Sequence, residues 1–170
     1  MTSNKLYSRS GVRPTVSQST TSFDNFANAR GQGYQRIDFQ QHCVIAFMLY
    51  AKYGNRNLQA VLGTGGAVSG SSATMTGTSN STGITDTKNE TSKYVCGLGL
   101  EGVFGGIYEW VKGVEINNRV WKITDPDGST RNVNAGTSDG WITNVAAENG
   151  PFFDMVPTNV GGSETTHYSD

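Results

Sequence analysis

The chain is 170 residues long, enough for one domain with a sizeable core. Its formal charge of −1 excludes a global field that would draw in nucleic acid or an anionic membrane surface. Charged residues make up only 16%, while Gly, Ser, Thr and Asn are abundant, a balance typical of extracellular or virion surface proteins rich in ordered loops; three Trp, seven Tyr and seven Phe supply core material, so the composition is not that of a disordered chain.

Residues 1–21 are polar, with Pro14 in an extended setting, and read as a linker or, over 11–17, as an edge strand. They contain no apolar core of a signal peptide, and no apolar run in the chain is long enough to span a bilayer. The domain proper is then expected over 22–170. Ser22 is predicted to cap a short helix with Phe23, Phe26 and Ala27 on its apolar face, stopped by Gly31. Residues 34–37 read as a brief strand. Asp38 is a cap for the main helix, residues 39–53, which Gly54 ends. Phe39, Cys43, Phe47 and Tyr50 form one stripe, and Val44, Ile45, Met48 and Leu49 fill its flanks. A helix apolar nearly all round is predicted to be buried against a sheet, with Phe47 inside.

Residues 63–91 are Gly, Ser, Thr and Asn with almost no hydrophobes. By composition they are a flexible linker; inside a folded domain they are better read as a long ordered loop. The sequons starting at Asn80 and Asn89 matter only in a secretory pathway. Residues 119–124 and 129–134 alternate at period two around Asp125-Pro126-Asp127-Gly128, which predicts a hairpin. A short strand is expected over 141–145, and the remainder to Asp170 reads as polar loop.

The run from Gly99 to Val111 holds four glycines and then Ile107-Tyr108-Glu109-Trp110-Val111. The glycines point to tight turns or close backbone approaches, and residues 107–111 to a strand carrying a buried Trp110 against the main helix. Glu109, between two aromatics, is expected to accept hydrogen bonds from backbone or an indole N–H and pin a loop.

Few residues point to chemistry. Asp125-x-Asp127-Gly128 opens like a calcium loop, but no distal carboxylate follows at the required spacing, so a β-turn is the reading; no cofactor is implied, and a structural calcium is not indicated. His42 lies on the main helix beside Gln40, Gln41 and Cys43 and reads as a structural histidine. Cys43 and Cys96 sit in apolar surroundings; a disulfide is open to them, and two buried free thiols are favoured. Tyr108, Trp110, Trp121 and Trp141 read as framework. Tyr168 and His167, in a polar tail, are the candidates for exposed ligand contacts.

The run Gly99-Leu100-Glu101-Gly102-Val103-Phe104-Gly105-Gly106-Ile107-Tyr108-Glu109-Trp110 resembles the Gly-Leu-x-x-Met-x-Gly-Asn-Val-Trp-Glu-Trp signature of the formylglycine-generating-enzyme family, whose domain is a variant of the C-type lectin fold. Gly99, Leu100, Gly105, Glu109 and Trp110 match; Ile107 and Tyr108 are conservative, Gly106 stands for Asn, and Gly102 for an acidic residue. The segments 30–42 and 50–57 look like the non-enzymatic branch of that family, ligand-binding domains of phage tail fibres and bacterial surface proteins, some of them diversified by retroelements. The resemblance covers residues 23 to 170. It implies an α+β domain of C-type lectin-like fold, with one main helix, a short one, small antiparallel sheets and long ordered loops.

The function so implied is host attachment: a loop surface binding a host-surface glycan or protein on a virion tail or at a cell surface, with a homo-oligomer, such as a trimer, or a larger fibre as its assembly. A bacterial adhesin or pilus-tip domain is the alternative within binding, and a structural virion protein is a third. The parent oxidase holds copper with paired cysteines late in its domain, and no cysteine follows Cys96 here, so an enzyme is not expected. The family's closing segment, with most of its ligand-facing residues, is also not found before Asp170. That leaves Tyr168 and His167 in its place, and implies weak binding unless further chain supplies it.

Overall fold

In this computed structural model, residues 4–65, 73–80, 94–134, 142–148 and 153–161 are described. In chain order they form α1 (Thr20–Asn28), α2 (Phe39–Tyr53), α3 (Leu58–Leu62), β1 (Cys96–Gly97), β2 (Leu100–Glu101), β3 (Val114–Asn117), β4 (Val120–Thr124), β5 (Thr130–Asn134), β6 (Ile142–Glu148) and β7 (Phe153–Val160). Helices and small antiparallel sheets, β1-β2, β3-β4-β5 and β6-β7, make this an α+β protein. The chain gathers into two compact units: Met1–Arg36 with Leu62–Trp110, and Ile37–Val61 with Val111–Asp170.

The second unit is organised by α2. Asp38 accepts from the Gln41 N–H at 2.8 Å, and the Gln41 side chain accepts from the Asp38 N–H at 3.2 Å, a reciprocal capping box. Gly54 closes the helix at φ 60°, where a Cβ would be strained. One face, through Phe39 and Cys43, packs on Ile123 and Val156, with Val111, Val114, Trp121, Val133 and Met155 around them. Phe39 and Trp121 meet with ring centroids 6.1 Å apart. Trp121 is thus framework, as its place on an alternating strand predicts. The opposite face is not buried: Phe47 is 51% exposed, and Val44 and Met48 are exposed beside it. The helix packs against strands as expected, but the expectation that Phe47 is buried there is corrected. Sheets of two and three strands are too narrow to wrap more than one side of a helix.

The hairpin predicted around 125–128 is present, with Thr124 opposite Thr130. The Asp125 side chain is 2% exposed and receives a two-point grip from Arg131, Nε to Oδ2 at 2.9 Å and Nη2 to Oδ1 at 3.2 Å. The Gln40 amide of α2 donates to the same carboxylate at 2.8 Å. Asp127 holds the turn by accepting from the Ser129 N–H and hydroxyl. These carboxylates therefore serve the turn and the helix–sheet contact. Two further strands of this unit lie where no strand was expected. β3 pairs with β4 across a two-residue turn whose Asn118 and Arg119 both have positive φ. β7 pairs with β6 over a segment that reads as loop.

In the first unit, α1 begins earlier than expected. Ser19, not Ser22, is the cap, and its hydroxyl accepts from the Ser22 N–H at 3.1 Å. Residues 11–17 and 34–37 form no strand. Instead the 11–13 segment is stitched to residue 76 by Gly11 N–H to Thr76 O at 2.8 Å and Thr76 N–H to Val12 O at 2.9 Å. Cys43 and Cys96 are both buried free thiols, as favoured from their apolar surroundings. Most of residues 63–91, the second sequon, Trp141, His167 and Tyr168 lie outside the described residues.

Asp125→Ala is expected to destabilise the chain by about 3–5 kcal/mol, because it strands the Arg131 guanidinium and the Gln40 amide away from water. Urea denaturation measures this, and a loss below about 1 kcal/mol would show that the network contributes little.

Candidate functional site

The glycine-rich run folds as a hairpin followed by a loop. β1 and β2 pair with Gly97 opposite Leu100, across Leu98 and Gly99, which both have positive φ. A two-residue turn of this hand matches the twist of its strands, and Gly99 supplies one of its two left-handed positions without strain. The chain then leaves the ladder over 102–111 in irregular turns. Gly105 has φ 72°, and a Cβ there would collide with the Thr64 carbonyl oxygen, so glycine is required by close approach as well as by conformation.

Glu101, at the end of β2, fills the pinning role expected of Glu109. It accepts from the Gly77 N–H at 2.6 Å, the Thr78 hydroxyl at 3.1 Å and the Ser79 N–H at 3.3 Å. Burial alone would raise its pKa; the donors from Gly77, Thr78 and Ser79 outweigh that and hold it below the ordinary carboxylate value. The adjacent Tyr94 is buried and donates its hydroxyl to the Thr74 carbonyl at 2.9 Å. Its pKa is raised, first by desolvation and then by the charges of Glu101 and Glu109.

Residues 107–111 are not a strand, and Trp110 is not buried; both expectations are corrected. The reason is local. Gly102 and Val103 both donate to the Val95 carbonyl, at 2.8 and 3.3 Å, and turn the backbone away before a ladder can extend. Trp110 is held at two points instead. Its indole N–H donates to the Gln18 carbonyl at 3.1 Å, and its own carbonyl accepts from Arg36 Nη1 at 3.3 Å. Arg36 is itself fixed by a bidentate pair with Asp24 of α1, at 2.8 and 3.0 Å. With its polar atoms so engaged, the indole remains 54% exposed.

Two residues earlier, Tyr108 is wholly exposed, so it is not framework either. Glu109 lies between these two aromatics in sequence. It is an exposed residue, and desolvation of its carboxyl nevertheless raises its pKa above the ordinary carboxylate value. An aromatic pair flanking a carboxylate offers flat apolar faces and a hydrogen-bond acceptor, which suits stacking and hydroxyl recognition.

Of the signature residues, Gly99 shapes the turn, Leu100 is an exposed strand residue, Gly105 fits against Thr64, and Glu109 and Trp110 sit on the exposed loop. The role of Arg36 was not legible from its neighbours in sequence, since its partners lie 12 and 74 positions away. His42 is half-buried on α2. Among the described residues no three His, Cys, Asp or Glu side chains gather as a metal site, and no helix is long and apolar enough to cross a membrane. Compared with protein families, curated proteins and solved structures, the chain matches none of them.

Glu101 carries a pH signature. Its folded pKa lies below the unfolded value of 4.5, so its stabilisation is complete above that pH and is lost as pH falls through the lower folded value. Glu101→Gln is expected to lower the melting temperature at pH 7, and the gap to the parent chain is expected to narrow below pH 4.5. A gap that does not change with pH would refute the linkage.

Proposed function

We propose that the chain is a non-catalytic ligand-binding module of C-type lectin-like type. Its loop 102–110 meets a glycan or protein on a host cell surface, on a phage tail fibre or on a bacterial surface protein of adhesin type. The observation that carries this reading is the wholly exposed Tyr108 two residues from a Trp110 that is anchored by its polar atoms and still half open. Leaving such rings in water costs free energy that a soluble chain ordinarily avoids, and rigid aromatics lose little entropy on binding. The resemblance of residues 99–110 to the lectin-like signature supports the same class, although the strand expected at its end is a loop here. The ligand contacts expected at Tyr168 and His167 remain part of the proposal, as does a homo-oligomeric fibre.

The rival class is the copper oxidase of the parent family. It needs paired thiolates late in the domain, and the sequence has no cysteine beyond Cys96. Incubated with copper, oxygen and a cysteine-containing peptide, the protein is expected to leave the thiol unconverted to an aldehyde in mass spectra. A formylglycine product would establish the oxidase instead.

Binding is tested by interferometry against immobilised bacterial lipopolysaccharides and capsular polysaccharides. Tyr108→Ala should weaken any captured interaction about tenfold or more, as expected for an aromatic anchor, with an unchanged melting temperature. Undiminished binding by that variant would remove the loop from the interface.

A further inference from the structure

The first 36 residues hold five cations, Lys5, Arg9, Arg13, Arg30 and Arg36, against one anion, Asp24, whereas the rest of the chain holds eight cations and thirteen anions. Asp24 is taken by Arg36, and Arg13 donates to the Ala73 carbonyl at 3.0 Å. Arg30 is different. Among the described residues no carboxylate pairs with it, and its guanidinium carbon lies 4.6 Å from the centroid of the Tyr7 ring and 5.1 Å from that of Tyr34. The rings are 45% and 52% exposed, and Arg30 is exposed with them.

The backbone builds this cluster from two stretches of chain. Leu6 N–H donates to the Phe26 carbonyl of α1 at 3.3 Å and sets Tyr7 beside the end of that helix. Arg30 comes just after the Ala29 C-cap of the helix, with its N–H on the Ala27 carbonyl at 2.9 Å. The chain then reverses through Gly31 and Gly33, both at positive φ, and Tyr34 N–H reaches back to the Gly31 carbonyl at 3.4 Å. Gly31 at φ 125° reaches a conformation that other residues avoid, and it is this that brings Tyr34 back to Arg30.

We propose that Tyr7, Arg30 and Tyr34 form a binding site for an acidic saccharide, a sugar bearing a ring carboxylate such as a uronic or sialic acid. A guanidinium lying over aromatic rings keeps its in-plane N–H fork for a carboxylate, which it holds at two points. The rings limit the motion of the long side chain and offer apolar faces to the C–H face of a pyranose, with phenol hydroxyls for its polar edge. A nucleic acid would need several cations in line along its backbone, and two of the five in this stretch are already engaged within the protein. The proposal uses none of the residues of the 102–110 loop and does not depend on the role given to that loop.

The test is titration calorimetry of the full chain with tetragalacturonate, with sialyllactose, with the methyl ester of each, and with a single-stranded oligonucleotide. At least one free acid should bind, its ester about tenfold more weakly, and Arg30→Ala should cost about tenfold. Arg30→Lys keeps the charge, loses the fork and should also weaken binding, and Tyr34→Ala should weaken it by removing a stacking face. Shifts of the Tyr7 and Tyr34 ring resonances on titrating the unaltered chain locate the site without relying on any variant. The proposal is overturned if neither acid binds at millimolar concentration, if the esters bind as well as the acids, if Arg30→Ala binds like the parent, or if the oligonucleotide binds more tightly than either acid.

Discussion

The second unit depends on one carboxylate. Asp125 follows β4, opens the turn, and takes two hydrogen bonds from Arg131 of β5 and one from Gln40 of α2. A charge buried this deeply is tolerated only because three donors surround it. The same donors specify register: a slip of one residue in the hairpin would carry Arg131 to the opposite face of the sheet. The Gln40 contact then fixes where α2 lies on that sheet, which hydrophobic contacts among Phe39, Cys43, Ile123 and Val156 alone would leave free to slide. Register and docking are therefore set by polar geometry, and the apolar core fills in around it.

The first unit reaches order by another route. Its strands are two residues long, and its segments are tied by carbonyls, hydroxyls and the carboxylates of Asp24 and Glu101. Such a fabric suits a chain rich in Gly, Ser and Thr, because small residues let backbones approach closely enough to bond each other. At residues 76–77 the backbone meets the segment around Ser10, so nearly that a Cβ on Gly77 could not be accommodated.

The parts legible in the sequence are those decided within a few residues. Asp38, Gln41 and Gly54 define α2 because caps act over one turn, and Asp125-Pro126-Asp127-Gly128 defines a hairpin because turn chemistry is local. Ser19 displaced Ser22 as a cap in a stretch where several hydroxyls compete for the same role. β7 was hidden by Pro157, which ordinarily demotes a strand; in a two-stranded sheet each strand has an edge where a missing N–H is tolerated. The exposure of Phe47 and Trp110 was hidden because hydrophobicity reports what a residue prefers and not how much sheet is there to cover it. For the candidate site, the glycines marked the loop correctly, but the choice of Glu101 over Glu109 as its anchor depends on residues 77–79, more than twenty positions away.

The two cysteines, free and buried, fall one to each unit: Cys96 on β1 in the first and Cys43 on α2 in the second. Each thiol is therefore a reporter for its own neighbourhood, silent while closed and reactive to a thiol reagent only when the surrounding structure opens. Labelling under native conditions, read cysteine by cysteine, yields two opening free energies from an unmodified chain. Whether the units melt as one cooperative body or as two is written in the ratio of those two labelling rates.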